Sequence, residues 1–133
     1  ISGDQGLELF RRHGKEVEEK SFSGTEELLD EIKIQERLSD GEYETGAVIA
    51  MTESEAFDLY RILKNKGVSV NYIDRHTAAF KKGLTVTTFY LAKGLEFDQV
   101  FAVMGNEENP FYRQAQYISA TRALHELYVY KIP

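Results

Sequence analysis

The chain has 133 residues, no cysteine, 42% hydrophobic and 12% aromatic residues, and a net charge of −6. That length favours one domain over 1–133 with a core hiding roughly two-thirds of the unfolded surface; the missing cysteines exclude a disulfide framework or thiolate metal site. With no apolar run near ~18 residues and no signal pattern at Ile1, the expectation is a soluble, cytoplasmic protein without membrane contact. The start at Ile1, without an initiator Met, reads as a fragment of a longer chain.

Charge is uneven. Residues 1–46 hold 6 basic and 13 acidic side chains, residues 47–133 hold 10 and 9. A broad basic surface is therefore excluded, though a narrow contact line is not. The acids cluster in one helix candidate, where a solvated face explains them.

In chain order, Leu7–Arg12 and Val17–Phe22 read as short extended pieces around a His13-Gly14 turn. Ser23, three before Glu26, has capping-box spacing. The helix that follows places Leu28, Leu29, Ile32 and Leu38 on one face and ends at Asp40-Gly41. Gly46–Met51 is a continuous apolar run suited to a buried parallel strand. Thr52 can cap a helix carrying Ala56, Leu59, Tyr60, Ile62 and Leu63, which stops at Lys66-Gly67. Val68–Ile73 and Leu84–Thr88 are strands; Ala92–Phe97 is a turn; Gln99–Met104 is a strand and Gly105–Pro110 a polar loop. Phe111–Leu124 reads as a helix and Leu127–Ile132 as a last strand. The alternation predicts an α/β fold with a mainly parallel sheet.

Two segments carry chemistry. Thr87–Asp98 leaves a strand at its carboxyl end, where α/β sheets gather sites. Gly94 permits a backbone shape or a close approach that a side chain would block. Glu96, between Leu95 and Phe97, can accept hydrogen bonds from sugar hydroxyls; Thr88, Tyr90 and Lys93 are donors suited to phosphates. An ordinary surface turn explains the same residues. In the second segment, helical spacing puts Tyr117, Ala120, Thr121 and Leu124 on a stripe facing the sheet, which turns Arg122 away from the core. Such an Arg suits transferring-phosphate charge across an interface; an idle surface Arg, or one paired with Glu126, is the alternative. There is no G-x-x-x-x-G-K-[ST] cradle and no Mg²⁺-holding acidic run after a strand. His13, His76 and His125 lack metal spacing, so no metal ligand is expected.

Ala92-Lys93-Gly94-Leu95-Glu96-Phe97-Asp98, preceded by Thr88, resembles motif V of the UvrD/Rep superfamily 1 DNA helicases, and Tyr117–Ala123, ending Thr121-Arg122-Ala123, resembles their motif VI. Phe10–Gly14 and Thr121–His125 resemble the HelD-like branch. The strong motifs lie within 84–132. The resemblance implies a second RecA-like lobe, a three-layer α/β/α unit without its own P-loop. It implies that Arg122 reaches the ATP γ-phosphate, Glu96 contacts the ribose, Gly94 shapes the turn, and Thr88, Tyr90 and Lys93 lie by the single strand. Tyr90 stands where many relatives have His. ATP with Mg²⁺ would be held mainly by an N-terminal RecA-like lobe, so the fragment alone is expected to be inactive. The implied partners are that lobe and single-stranded DNA or a forked duplex. The alternative is a nucleotide-gated module that binds RNA polymerase, suggested by the acids Glu26, Glu27, Asp30 and Glu31.

Overall fold

A computed structural model describes residues 16–76, 82–105 and 107–133. The expected extended piece at Leu7–Arg12 and its His13-Gly14 turn lie outside the described residues. Strands β1 (Glu16–Ser21), β2 (Thr45–Ala50), β3 (Val70–Tyr72), β4 (Gly83–Thr88), β5 (Phe97–Met104) and β6 (Ala123–Lys131) alternate with helices α1 (Thr25–Gln35), α2 (Glu53–Asn65) and α3 (Tyr112–Thr121). The six strands form one sheet in the order β1-β6-β5-β2-β4-β3, and every pairing is parallel. All strands thus start at one edge of the sheet and end at the other.

The central strands are apolar at almost every position because both faces are covered. Along β2, Val48 and Ala50 point into a core shared with Leu28, Leu29 and Ile32 of α1 and Ala56, Leu59 and Leu63 of α2. Ala47 and Ile49 point the other way, against Tyr112, Ala115 and Ala120 of α3. Alternation within one strand therefore feeds two cores, and the architecture is a three-layer α/β/α sandwich. The edge strand β1 is mostly exposed and charged (Glu16, Glu18, Glu19, Lys20), which discourages edge-to-edge pairing.

Several local expectations hold. The Thr52 hydroxyl accepts the Glu55 N–H at 3.1 Å as the α2 cap, and α2 ends at Lys66 with Gly67 at φ 83°. Others do not. Ser23 does not form the capping box: α1 begins at Thr25 with Gly24 at its cap, and the Ser23 hydroxyl meets the Glu27 carboxylate instead. That helix also stops at Gln35, before Leu38 and Asp40-Gly41. The Val68–Ile73 strand shrinks to Val70–Tyr72, parallel to β4.

The largest correction concerns the last helix. It ends at Thr121 and Arg122 is its C-cap, because β6 already begins at Ala123, where Ala123 pairs with Phe97. Its inward stripe is Tyr112, Ala115, Gln116, Ser119 and Ala120, while Tyr117 is 47% and Leu124 37% exposed. Ala115, Ser119 and Ala120 are the small members of that stripe, and the large Tyr117 is turned outward.

Candidate nucleotide and strand site

The motif residues divide between the two edges of the sheet. The 89–96 connection runs from the carboxyl end of β4 to the amino end of β5, and is held by Ala92 N–H on the Thr88 carbonyl and Leu95 N–H on the Ala92 carbonyl, each at 3.0 Å. Phe97 is fully buried and Leu95 packs on the same core, so the backbone is pinned on both sides of Glu96, whose side chain is exposed. Gly94 has φ 84°, and an added Cβ would meet nothing within 4 Å. The glycine is thus needed for its left-handed backbone, not for space within the chain. Lys93 is exposed beside it.

Arg122 is tied to this turn twice. Its carbonyl accepts the Phe97 N–H at 2.9 Å, and its guanidinium Nη1 donates to the Leu95 carbonyl at 3.3 Å. Glu96 sits between those two residues, so the structure brings Glu96 and Arg122 together. The remaining contact of the guanidinium is Nη2 to the Thr121 hydroxyl at 3.2 Å, and its Nε is buried with no hydrogen-bond partner. Among the described residues no carboxylate pairs with Arg122. The expected alternative partner, Glu126, binds Arg37 instead, at 2.9 Å.

Glu126 anchors a polar network that the sequence reading missed. It is 7% exposed and accepts from Gln99 Nε2 at 2.9 Å, Tyr128 at 2.7 Å, Tyr43 at 3.2 Å and Arg37. Burial alone would raise its pKa, but the bonds from Tyr128, Gln99 and Arg37 hold it below the ordinary carboxylate value. Burial next to this carboxylate pushes Tyr43 up to about 12. Gln99 also accepts the Arg37 N–H at 2.9 Å and donates to the Gln35 carbonyl at 2.9 Å. Asp98 accepts the N–H groups of Glu44 and Thr45 at 3.0 and 3.1 Å. Asp98 at the end of the first motif, Gln99 just after it and Glu126 just after the second therefore clamp the 35–45 connection to the amino edge. The register of β5 on β6 shifts between Phe97 and Gln99, an irregularity of the kind that re-aims nearby side chains.

At the carboxyl edge, Thr88 is buried and its hydroxyl accepts the Leu91 N–H at 3.4 Å, so it supports the turn. Tyr90 is exposed, and its hydroxyl donates to Glu53 at 2.6 Å. Arg75 meets the same carboxylate. Neither Glu53 nor Arg75 was singled out in the sequence; their separation of 22 residues carries no local signal. Hydrogen bonds from Tyr90 first, then Arg75, depress the Glu53 pKa. Phe89 makes an edge contact with Tyr90 at 5.6 Å and a tilted one with Phe111 at 6.5 Å. Among the described residues no group of His, Asp and Glu could hold a metal ion, and no helix is long and apolar enough to cross a membrane.

Residues 83–130 match the UvrD-like helicase C-terminal domain family. These residues span both motifs, the 89–96 turn and the Arg122 contact. A solved C-terminal domain of a possible DNA helicase from Lactobacillus plantarum WCFS1 superposes with TM-score 0.77 at 29% identity, covering 96% of this chain and 84% of that one. An arterivirus nonstructural protein 10 helicase, solved in complex with DNA, superposes with TM-score 0.56 at 15% identity, over 94% of this chain and 30% of that one; it shares the fold. No curated protein matches the sequence. The α/β/α layering around a parallel sheet matches that of the solved helicase C-terminal domain.

Proposed function

We propose that the chain is the second, RecA-like motor lobe of a cytoplasmic ATP-dependent DNA helicase or translocase of the HelD-like branch, with 1–133 forming one lobe. The observation that carries this reading is the state of Arg122. Its guanidinium is half-buried, pinned to the Leu95 carbonyl, and without a carboxylate partner among the described residues. A cation so placed, next to the unencumbered Glu96, suits an anionic ligand with a sugar attached.

The residues fit half of a nucleotide site. Arg122 would place positive charge on the γ-phosphate, and its orphaned Nε offers one more donor. Glu96 would accept from the ribose hydroxyls, and Gly94 would hold the turn that presents it. The chain has no phosphate cradle of its own, so ATP with Mg²⁺ would sit mainly on a partner lobe. When bound, that nucleotide supplies the hydrolysis free energy of the motor. Thr88 supports the 89–96 connection where it leaves β4, and Tyr90 and Lys93 on that connection would lie along a single DNA strand or a fork. Closure of two lobes on Arg122 and Glu96 would shift that strand, a ligand-driven change between open and closed states.

Arg122→Ala in the full-length parent protein should lower ATP turnover by about 10³-fold or more, with single-strand affinity largely intact. Unchanged turnover would remove Arg122 from this role. For the RNA polymerase-binding alternative, the α1 acids were the main feature. Glu26 and Asp30 are engaged by Lys66 and Glu31 by Lys20, so much of that face is neutralised within the chain, and no further observation favours it.

A further inference from the structure

Three neighbouring strands of the sheet, β2, β4 and β3, each send one side chain into a cluster at their carboxyl ends. Glu53 follows β2 in the first turn of α2, Tyr90 follows β4, and Arg75 follows β3. The Glu53 carboxylate takes both the Tyr90 hydroxyl and the Arg75 guanidinium. Two donors that could hold a phosphate are thus occupied by an anion of the chain itself.

The cluster is open: the Arg75 side chain is 64% exposed and that of Glu53 35%. Aromatic rings stand on the elements that supply it. Phe57, one helical turn after Glu53 on α2, lies edge-on to Tyr72 at 5.9 Å. Tyr90 and Phe111 stand against Phe89. Phe57, Tyr90 and Phe111 are exposed large rings, and exposed rings beside a cation are what stacked bases and their phosphates use on single strands. An acidic peptide would use the cation but not the rings.

We propose that Arg75 and Tyr90 form a phosphate subsite for single-stranded nucleic acid, and that Glu53 is its built-in competitor, displaced when the strand arrives. This rests on the reading of the carboxyl edge as the strand track, and it adds a residue, Arg75, and a restraint, Glu53, to that track. An ion pair this exposed is weak, so the competitor tunes affinity and does not block binding.

The test measures affinity of the full-length protein for fluorescein-labelled oligothymidylate by anisotropy, without nucleotide, over a series of salt concentrations. Glu53→Gln should tighten binding about two- to fivefold. Glu55→Gln is the matched control: it removes the same charge from the same helical turn, and Glu55 is exposed. It should leave affinity unchanged. Arg75→Ala should weaken binding and lower the salt slope by about one. Equal effects of the two Gln variants would overturn the competitor, since only general charge would then matter. Weakening by Arg75→Ala without tightening by Glu53→Gln would overturn it too, while leaving the strand track standing. If Arg75→Ala and Tyr90→Ala both leave affinity and salt slope unchanged, the proposal falls together with the strand reading of this edge.

Discussion

The two edges of the sheet hold their charges in opposite ways. At the amino edge Glu126 is buried under donors from four residues, and the neighbouring Arg122 is fixed by a carbonyl and a hydroxyl. At the carboxyl edge Glu53, Arg75 and Tyr90 meet in solvent, in contacts that a solute can replace. A buried carboxylate loses more if a partner is removed than an exposed one does, because it cannot recover the interaction from water. Under the proposed function this is a division of labour: one edge keeps a fixed geometry for a small ligand, and the other exchanges its contacts along a moving polymer.

Removing Glu126 is the strongest way to break that comparison. Glu126→Ala strands Gln99, Tyr128 and Arg37, and should lower the unfolding free energy in urea by about 3 kcal/mol. Glu53→Ala, on an exposed pair, should cost far less. Equal losses would mean that the two edges do not differ as described.

Acid sharpens the same contrast. The folded pKa of Glu126 lies below the ordinary 4.5. Its contribution is therefore complete above the unfolded value and is lost as pH falls through the lower folded value. The groups facing it are Arg37, which stays charged, Tyr43 and Tyr128, which stay protonated, and Gln99, which does not titrate. Urea midpoints should fall below about pH 4.5 more steeply in the wild type than in Glu126→Gln. Parallel slopes would show that the acid sensitivity comes from other carboxylates.

What the sequence revealed follows the same division. The apolar run of β2, the Thr52 cap and the Lys66-Gly67 stop are local signals, and all three are seen. The 89–96 turn was legible because Gly94 and the alternation of Leu95, Glu96 and Phe97 mark it within a few residues. The end of α3 was not, because pairing of Ala123 with Phe97 takes the residues that helical periodicity would have continued. Its phase was misread by giving the bulky Tyr117 the core, whereas close packing selects Ala115, Ser119 and Ala120. Gln99 bonds Glu126 across 27 residues and Arg37 reaches Glu126 across 89. No periodicity or spacing encodes such contacts; they exist only once β5 and β6 lie side by side.

The smallest expected effect separates two meanings of Gly94. Its φ of 84° is strained for a residue with a side chain, and Ala there should cost about 1 kcal/mol. Nothing in the chain lies within 4 Å of the added carbon, so any further loss must come from the ligand or from a displaced turn. Asn is larger than Ala but tolerates the left-handed region better. If Gly94 matters because it shapes the turn that presents Glu96, Gly94→Asn should be more stable than Gly94→Ala, and should recover part of the ATP affinity that Gly94→Ala loses in the full-length protein. If Gly94 instead leaves room for a bound nucleotide, the larger Asn should bind ATP more weakly than Ala, whatever it does to stability. Urea denaturation and the KM for ATP, measured on both variants, distinguish a backbone requirement from a steric one.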